Sequence, residues 1–361
     1  MMELKHLFSP MDVGAVRVKN RIVLLPTALG YTRGGKPGPR LTAYLEERAR
    51  GGAGFLGTPF NIFPSSDGPE GSILLDASNP AHIPALRELT DRIHGYGAKI
   101  YGQLITLAAW RRDKDAPYEI CYPSLVALRR HREAPAREMT ADDIRIFLRQ
   151  HAEAAEILRA AGFDAVEVMA GVGATISRFM SPLANLRTDE YGGSFENRMR
   201  LPLELIDAIR RGAGDDFPVL WRYSGHEFMA GGYDTEGGAE IGRTLEGAGV
   251  KWLSIQIGWH DSPVPLITKE VPQGHWACIA EQIRKAVHIP VVTAYRITDP
   301  VMADRIIAEG KADFIGMARA LFADPEWPNK AKTGRISEIN HCICCCRCID
   351  QVVGERKPLE I

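Results

Sequence analysis

Five of the seven cysteines fall within Cys342-Ile343-Cys344-Cys345-Cys346-Arg347-Cys348. Disulfide frameworks staple distant segments, so a nest this dense reads as a metal or iron–sulfur site instead. Cys342, Cys345 and Cys348 keep the spacing C-x2-C-x2-C, which lets three thiolates converge from one tight loop, and an all-cysteine set suits iron–sulfur or zinc. Zinc typically uses two separated C-x2-C pairs and a fourth ligand, and the chain has no second pair. Arg296 and Arg319 form another set. Each follows one of the last two strand-like runs, where backbone N–H groups and a helix start cradle a phosphate and guanidinium groups add bidentate bonds. Gln103 and Arg222 are polar residues inside apolar runs. Pointing inward they must find partners, and a flat heterocycle rich in carbonyls and ring nitrogens would satisfy both. Arg222 would also hold negative charge on such a ring when reduced. His260, in Ile257-Gly258-Trp259-His260-Asp261, reaches the same end, and imidazole exchanges protons near neutral pH.

These groups need a scaffold, and the chain repeats one beat: a β-rich apolar run, a loop, an amphipathic helix. Strands are predicted at Ile22–Pro26, Gly54–Thr58, Lys99–Leu104, Ala165–Met169, Val219–Tyr223, Trp252–Ile257, Pro290–Thr293 and Phe314–Gly316. Helices are predicted near 38–50, 80–96, 140–161, 196–212, 235–248, 275–287, 299–309 and 318–333, with caps at Asn79-Pro80, Thr140, Thr235 and Thr298-Asp299-Pro300. Eight beats predict an α/β fold, a (β/α)8 TIM barrel with its site at the C-terminal ends of the strands. A doubly wound sheet would want G-x-G-x-x-G after the first strand, and Leu25-Pro26-Thr27-Ala28-Leu29-Gly30 is not that. Residues 7–20 read as a strand pair closing one end. The barrel accounts for 1–335, and the cysteine segment 336–361 falls outside the repeat. Within the barrel, Gly162–Arg198 runs from a buried strand into a long polar loop beginning at Gly171, with the next helix near Glu196. Unstructured segments above ~12–15 residues are uncommon in compact domains and usually functional.

Composition narrows the partners. The formal net charge is −1 and no basic run exceeds two residues, so nothing draws nucleic acid or an anionic membrane. No apolar run approaches the ~18 residues of a spanning helix, and MMELKHLFSPMD lacks a secretory core. A cytoplasmic protein acting on small molecules is expected, as a homo-oligomer.

Together these features resemble the old yellow enzyme family of flavin barrels, in particular its iron–sulfur branch, which includes bacterial 2,4-dienoyl-CoA reductase and trimethylamine dehydrogenase. The likeness covers nearly the whole chain. It is carried by Phe8-Ser9-Pro10, Val18-Lys19-Asn20-Arg21-Ile22-Val23, the segment Asn185 to Arg198, Gly258-Trp259-His260, Met317-Ala318-Arg319 and the cysteine nest. The resemblance implies FMN over the barrel mouth, lined by Pro26, Thr27 and Ala28, with Gln103 on the pyrimidine edge, Arg222 near N1–O2, and Arg296, Ala318 and Arg319 on the phosphate. It implies a [4Fe–4S] cluster on Cys342, Cys345 and Cys348. Electrons would come from NAD(P)H, hydride would pass from flavin N5 to an enoyl- or dienoyl-CoA-type alkene, and His260 would supply the proton.

The sequence also departs from that family. Met169 and Val172 stand where relatives carry a His-x-x-His or His-x-x-Asn grip on an enone oxygen, and Ala174 replaces a proton-donating tyrosine. Thr106 and Ala109 stand in a strand-three pattern that elsewhere carries histidine. Either His260, Tyr31 or Tyr223 then gives the proton, or the substrate is unlike a simple dienoyl thioester, and small Ala170 and Ala174 suggest room for a bulky or polycyclic substrate. The cysteine that tethers flavin in trimethylamine dehydrogenases is absent after the first strand, although the cluster spacing matches that branch. The family's fourth cluster ligand is not reached by Ile361, so the natural protein is expected to continue into FAD- and NAD(P)H-binding domains. Two alternatives stay open: an oxidative amine demethylase, and a non-catalytic flavin or electron-carrier scaffold.

Overall fold

The computed structural model describes residues 3–63, 74–106, 109–110, 118–126, 136–355 and 357–360. Eight strands close into a parallel ring: β1 (Ile22–Leu24), β2 (Phe55–Asn61), β3 (Lys99–Ile105), β4 (Ala165–Ala170), β5 (Val219–Ser224), β6 (Trp252–Gln256), β7 (Val291–Thr293) and β8 (Phe314–Met317). β8 returns to β1 through Ile315↔Ile22 and Met317↔Leu24, and β1 pairs with β2 through Val23↔Phe55. The strands read as continuous apolar runs because helices cover the outer face while side chains fill the inside. Those helices are α1 (Pro39–Arg50), α2 (Ile83–His94), α3 (Ala141–Ala160), α4 (Phe195–Ala213), α5 (Thr235–Gly247), α6 (Ala277–Ala286), α7 (Pro300–Ala308) and α8 (Arg319–Ala323). The expected (β/α)8 barrel is the fold.

An aromatic floor fills the barrel's lower half. Trp252 packs 5.4 Å from Phe55, 5.5 Å from Tyr101 and 5.5 Å from Phe314, ring centre to ring centre. Beneath it an antiparallel pair, Met11–Val13 with Val16–Val18, contributes Val13, Val16 and Val18 to the same buried cluster. The strand pair expected in 7–20 thus plugs the end away from the site.

The helix starts follow capping chemistry, with one correction. Thr140 and Asp143 form a reciprocal capping box on α3, and Asp299 caps α7 ahead of Pro300. On α5 the cap is Asp234, whose carboxylate accepts from Gly237 N at 3.1 Å, while the expected Thr235 is the first helical residue. An aspartate one residue upstream outcompetes threonine for the orphan N–H groups.

The segment after β4 is not the polar loop read from sequence. It holds a short helix, Thr175–Met180, whose six residues are all buried. Beyond it Asn185 Nδ2 donates to the carbonyls of Phe179 and Tyr191, both at 2.7 Å, fixing the turn into α4. The cysteine segment comes back onto the barrel: Leu359 N donates to Leu29 O at 2.9 Å, and Tyr31 and Arg40 both donate to Leu359 O. No helix of the described residues is long and apolar enough to cross a membrane.

Candidate active site at the barrel mouth

Side chains two apart on a strand share a face. Gln103 therefore stands above Tyr101, Glu167 above Ala165 and Arg222 above Leu220, forming a polar layer over the aromatic floor. Gln103 Nε2 donates to Glu167 Oε2 at 2.6 Å, and Trp252 Nε1 donates to Glu167 Oε1 at 3.2 Å. Complete burial pushes the Glu167 carboxyl up, against the opposing charge of Arg222. Nε and Nη1 of Arg222 are buried and have no hydrogen-bond partner. Both atoms can only donate, so the gap above them calls for an acceptor.

That gap opens into a cavity of ≈ 150 Å³ whose walls include Arg222, Arg296, Arg319, Ala318, Cys342 and Cys344. Tyr295 and Arg296 follow β7 with φ of 73° and 56°, two successive left-handed residues that swing the chain round the mouth. Such strain, of order 1–3 kcal/mol per residue, concentrates where geometry serves a site. Arg296 Nη1 is held by Lys269 O at 2.7 Å, and its Nε is buried without a partner. Arg319 opens α8. Its Nη1 is held by Ile267 O at 3.0 Å and lies 3.8 Å from Cys346 Sγ. The expected arginine pair therefore meets on one cavity, each aimed by a carbonyl of the loop after β6.

Pro26, Thr27 and Ala28 lie half-buried on the extended segment leaving β1, with Thr27 Oγ1 donating to Leu25 O at 3.2 Å. Ala318 precedes α8 and its carbonyl accepts from Phe322 N at 2.9 Å. His260 is exposed on the turn after β6 and stands apart from the arginine cavity, while its neighbour Trp259 is buried and bridges to Val172. Both tyrosines considered as substitute proton donors have their hydroxyls engaged by backbone carbonyls. The Tyr31 hydroxyl is committed to Leu359 O, and the Tyr223 hydroxyl donates to Gly238 O at 2.7 Å, on the side of α5.

The cysteines are only partly assembled. Cys342 and Cys344 line the cavity, Cys348 is half-buried and Cys345 is exposed. Cys344 and Cys346 take left-handed φ of 56° and 61°, and Cys344 N donates to Cys342 Sγ at 3.4 Å. Among the described residues no three His, Cys, Asp or Glu side chains converge as a metal site. Glu167 and Arg178 were missed in the sequence. A polar or charged residue within an apolar strand, the signal that exposed Gln103 and Arg222, was equally present at Glu167.

Fold and site define a (β/α)8 barrel whose open end gathers buried, unpartnered arginine donors around one cavity. The chain belongs to the NADH:flavin oxidoreductase / NADH oxidase family, whose model matches residues 6–338. It is 39% identical over 355 residues to a metal reductase of Desulforamulus reducens, covering 98% of this chain and 52% of that one. A solved complex of 2-naphthoyl-CoA reductase with 2-naphthoyl-CoA superposes with a TM-score of 0.91 at 31% identity, over 99% of this chain and 56% of that one. Histamine dehydrogenase from Rhizobium sp. 4-9 follows at a TM-score of 0.83 and 27% identity, over 99% of this chain and 52% of that one. The chain thus spans about half the length of that metal reductase.

Proposed function

We propose that this chain is the flavin-bearing barrel of an FMN and iron–sulfur oxidoreductase that reduces a conjugated C=C bond of an acyl substrate, with enoyl or dienoyl thioesters as the expected form. The observation that carries this reading is the set of buried, unpartnered donors on Arg222 and Arg296 in one cavity with Arg319. FMN fits them, since its ring edge offers acceptors and its tail is an anion. Arg222 and Gln103 would hold the ring edge, Pro26, Thr27 and Ala28 would flank it, and Arg296, Ala318 and Arg319 would bind the phosphate. When bound, the flavin supplies hydride chemistry toward electron-poor alkenes. His260 at the rim holds the proton that completes saturation of the bond.

Cys342, Cys345 and Cys348 offer the thiol set for a [4Fe–4S] cluster, with Cys342 on the wall of the same cavity. Electrons come from NAD(P)H, through FAD bound outside this barrel. The likeness to 2-naphthoyl-CoA reductase supports an acyl substrate. The test is the visible spectrum of anaerobically purified full-length protein, followed by NAD(P)H-dependent turnover of conjugated acyl alkenes. Absence of near-stoichiometric flavin bands ends the proposal.

The likeness to histamine dehydrogenase favours a second reading, oxidation of an amine on the same barrel. Turnover of methylated amines with an artificial acceptor, in protein that leaves alkenes untouched, selects it.

A further inference from the structure

The cysteine segment is fastened to the barrel on both sides of its thiol loop. Ahead of the loop Ile339 is buried, and Asn340 N donates to Asp324 Oδ2 at 2.9 Å just past α8. Beyond it Leu359 is buried against the stretch leaving β1. Its N–H donates to Leu29 O at 2.9 Å, and its carbonyl accepts from both the Tyr31 hydroxyl and Arg40 Nη2. Between these anchors Cys342 and Cys344 stand on the wall of the arginine cavity. Among the described residues, the hydrogen bond that reaches the thiol loop from the barrel is a long one, Arg319 Nη1 to Cys346 Sγ at 3.8 Å.

The far anchor is made for one carbonyl. Arg40 lies 4.2 Å from the Tyr31 ring centre, so guanidinium and hydroxyl converge on Leu359 O and take both of its lone pairs. Gln351 grips the same stretch: its Nε2 donates to Pro358 O at 2.9 Å, and its Oε1 accepts from Glu360 N at 3.3 Å. Gly30 has a φ of 71°, and a Cβ there would sit 2.9 Å from Pro358 Cα, so this close approach needs glycine. Burial of Leu359 alone would require none of these bonds. Pro26, Thr27 and Ala28, assigned to the flavin ring, run directly into Leu29, Gly30 and Tyr31. The anchor is therefore continuous with the ring's flank on one side and with the thiol wall on the other.

We propose that Tyr31 and Arg40 are the latch of a thiol strap that encloses the cofactor. By holding Leu359 they keep Cys342 and Cys344 against the cavity, and FMN enters and leaves when the latch opens. This rests on the flavin reading above and adds to it a gate and the two residues that hold it. Neither of them lines the cavity, so both are positioning residues. A lid slows entry and exit together, whereas loss of a contact to the ligand speeds exit alone.

The experiment measures both rates on full-length protein. Release is read from the recovery of free-flavin fluorescence after dilution of the loaded form, and uptake from its quenching when FMN meets the stripped form. Tyr31→Phe removes one donor and keeps the ring, and should speed both rates about three- to ten-fold. Tyr31→Phe combined with Arg40→Met should speed both by about 30-fold or more. Unchanged rates overturn the latch. Faster release with unchanged uptake overturns it too, since that marks a weakened binding contact. Hydrogen exchange on wild type decides if the double variant does not fold. The Leu359 amide should exchange about ten-fold more slowly with FMN than in the stripped form, because flavin against Cys342 and Cys344 favours the closed strap. Equal exchange in the two forms overturns the proposal. Full-length protein that takes up no FMN ends the flavin reading and the latch with it, whereas FMN uptake at rates the variants do not alter ends the latch alone.

Discussion

Gln103 and Glu167 are register partners on β3 and β4, and the amide of one donates to the carboxylate of the other at 2.6 Å. The second carboxylate oxygen takes the Trp252 indole N–H. One buried acid therefore fixes the orientation of the glutamine assigned to the cofactor's edge and ties the polar layer to the aromatic floor. Glu167→Ala leaves both donors unsatisfied and opens a cavity, with an expected loss on the order of 3 kcal/mol. Glu167→Gln keeps one acceptor and should lose less. Denaturant unfolding measures both, and an alanine variant as stable as wild type would show that the layer is not held this way.

Arg296 and Arg319 approach one cavity from β7 and α8, each oriented by a loop carbonyl. Charge-assisted bonds contribute roughly 1.5–3 kcal/mol each. Arg296→Ala and Arg319→Ala should therefore each weaken FMN binding about 10- to 100-fold, and leave binding of riboflavin, which lacks the phosphate, nearly unchanged. Equal losses for both flavins would move the arginines off the phosphate. Equilibrium titration of the apoprotein separates the outcomes.

The barrel was legible because its two periods are local. Each strand run and each capped helix is a local pattern; the cap of α5 slipped by one position, from Thr235 to Asp234, and the helix expected over 318–333 is two, Arg319–Ala323 and Trp327–Lys332, parted at Asp324-Pro325 where proline ends the first. Gln103, Arg222, Arg296 and Arg319 were legible because a polar residue in, or just past, an apolar strand must face the mouth. What escaped depends on contacts distant in sequence. Glu167 meets Gln103 across 64 residues and Trp252 across 85. Arg178 was read as loop, because nothing local tells a solvent-facing arginine from one roofed by Tyr122 and Trp259. The cysteine spacing named a donor set, yet spacing fixes only how far thiols can reach, not whether the loop brings them together.

Gly57, in β2, carries a sharper steric constraint than its sequence suggests. A Cβ there would sit 2.5 Å from both Pro26 Cγ and Tyr101 Cζ. Tyr101 belongs to the packed floor, so Pro26 is the neighbour with room to yield, and it leads into Thr27 and Ala28. Gly57→Ala is expected to destabilise by about 1–3 kcal/mol and to weaken flavin binding while leaving far-UV dichroism unchanged. Normal flavin affinity in that variant would detach this segment from the cofactor's site.

Glu227 has no solvent exposure and follows β5, where its Oε2 accepts from Ser181 Oγ at 2.8 Å and Tyr233 N at 3.2 Å while Oε1 has no partner. Burial pushes its carboxyl up to about 8, with the two hydrogen bonds and Arg198 pulling the other way. The folded chain thus holds a proton that the unfolded chain releases near 4.5. By linkage its contribution to stability is fully present below that pH and is lost as the pH rises through about 8. Glu227→Gln mimics the protonated form and can keep Oε1 as the acceptor for Ser181 and Tyr233. Its melting temperature should match wild type near pH 5 and exceed it by roughly 5 °C at pH 8, reflecting a few kcal/mol at most. Parallel melting curves across that range would mean that Glu227 titrates alike in the folded and unfolded chain, which its enclosure between Ser181 and Tyr233 opposes.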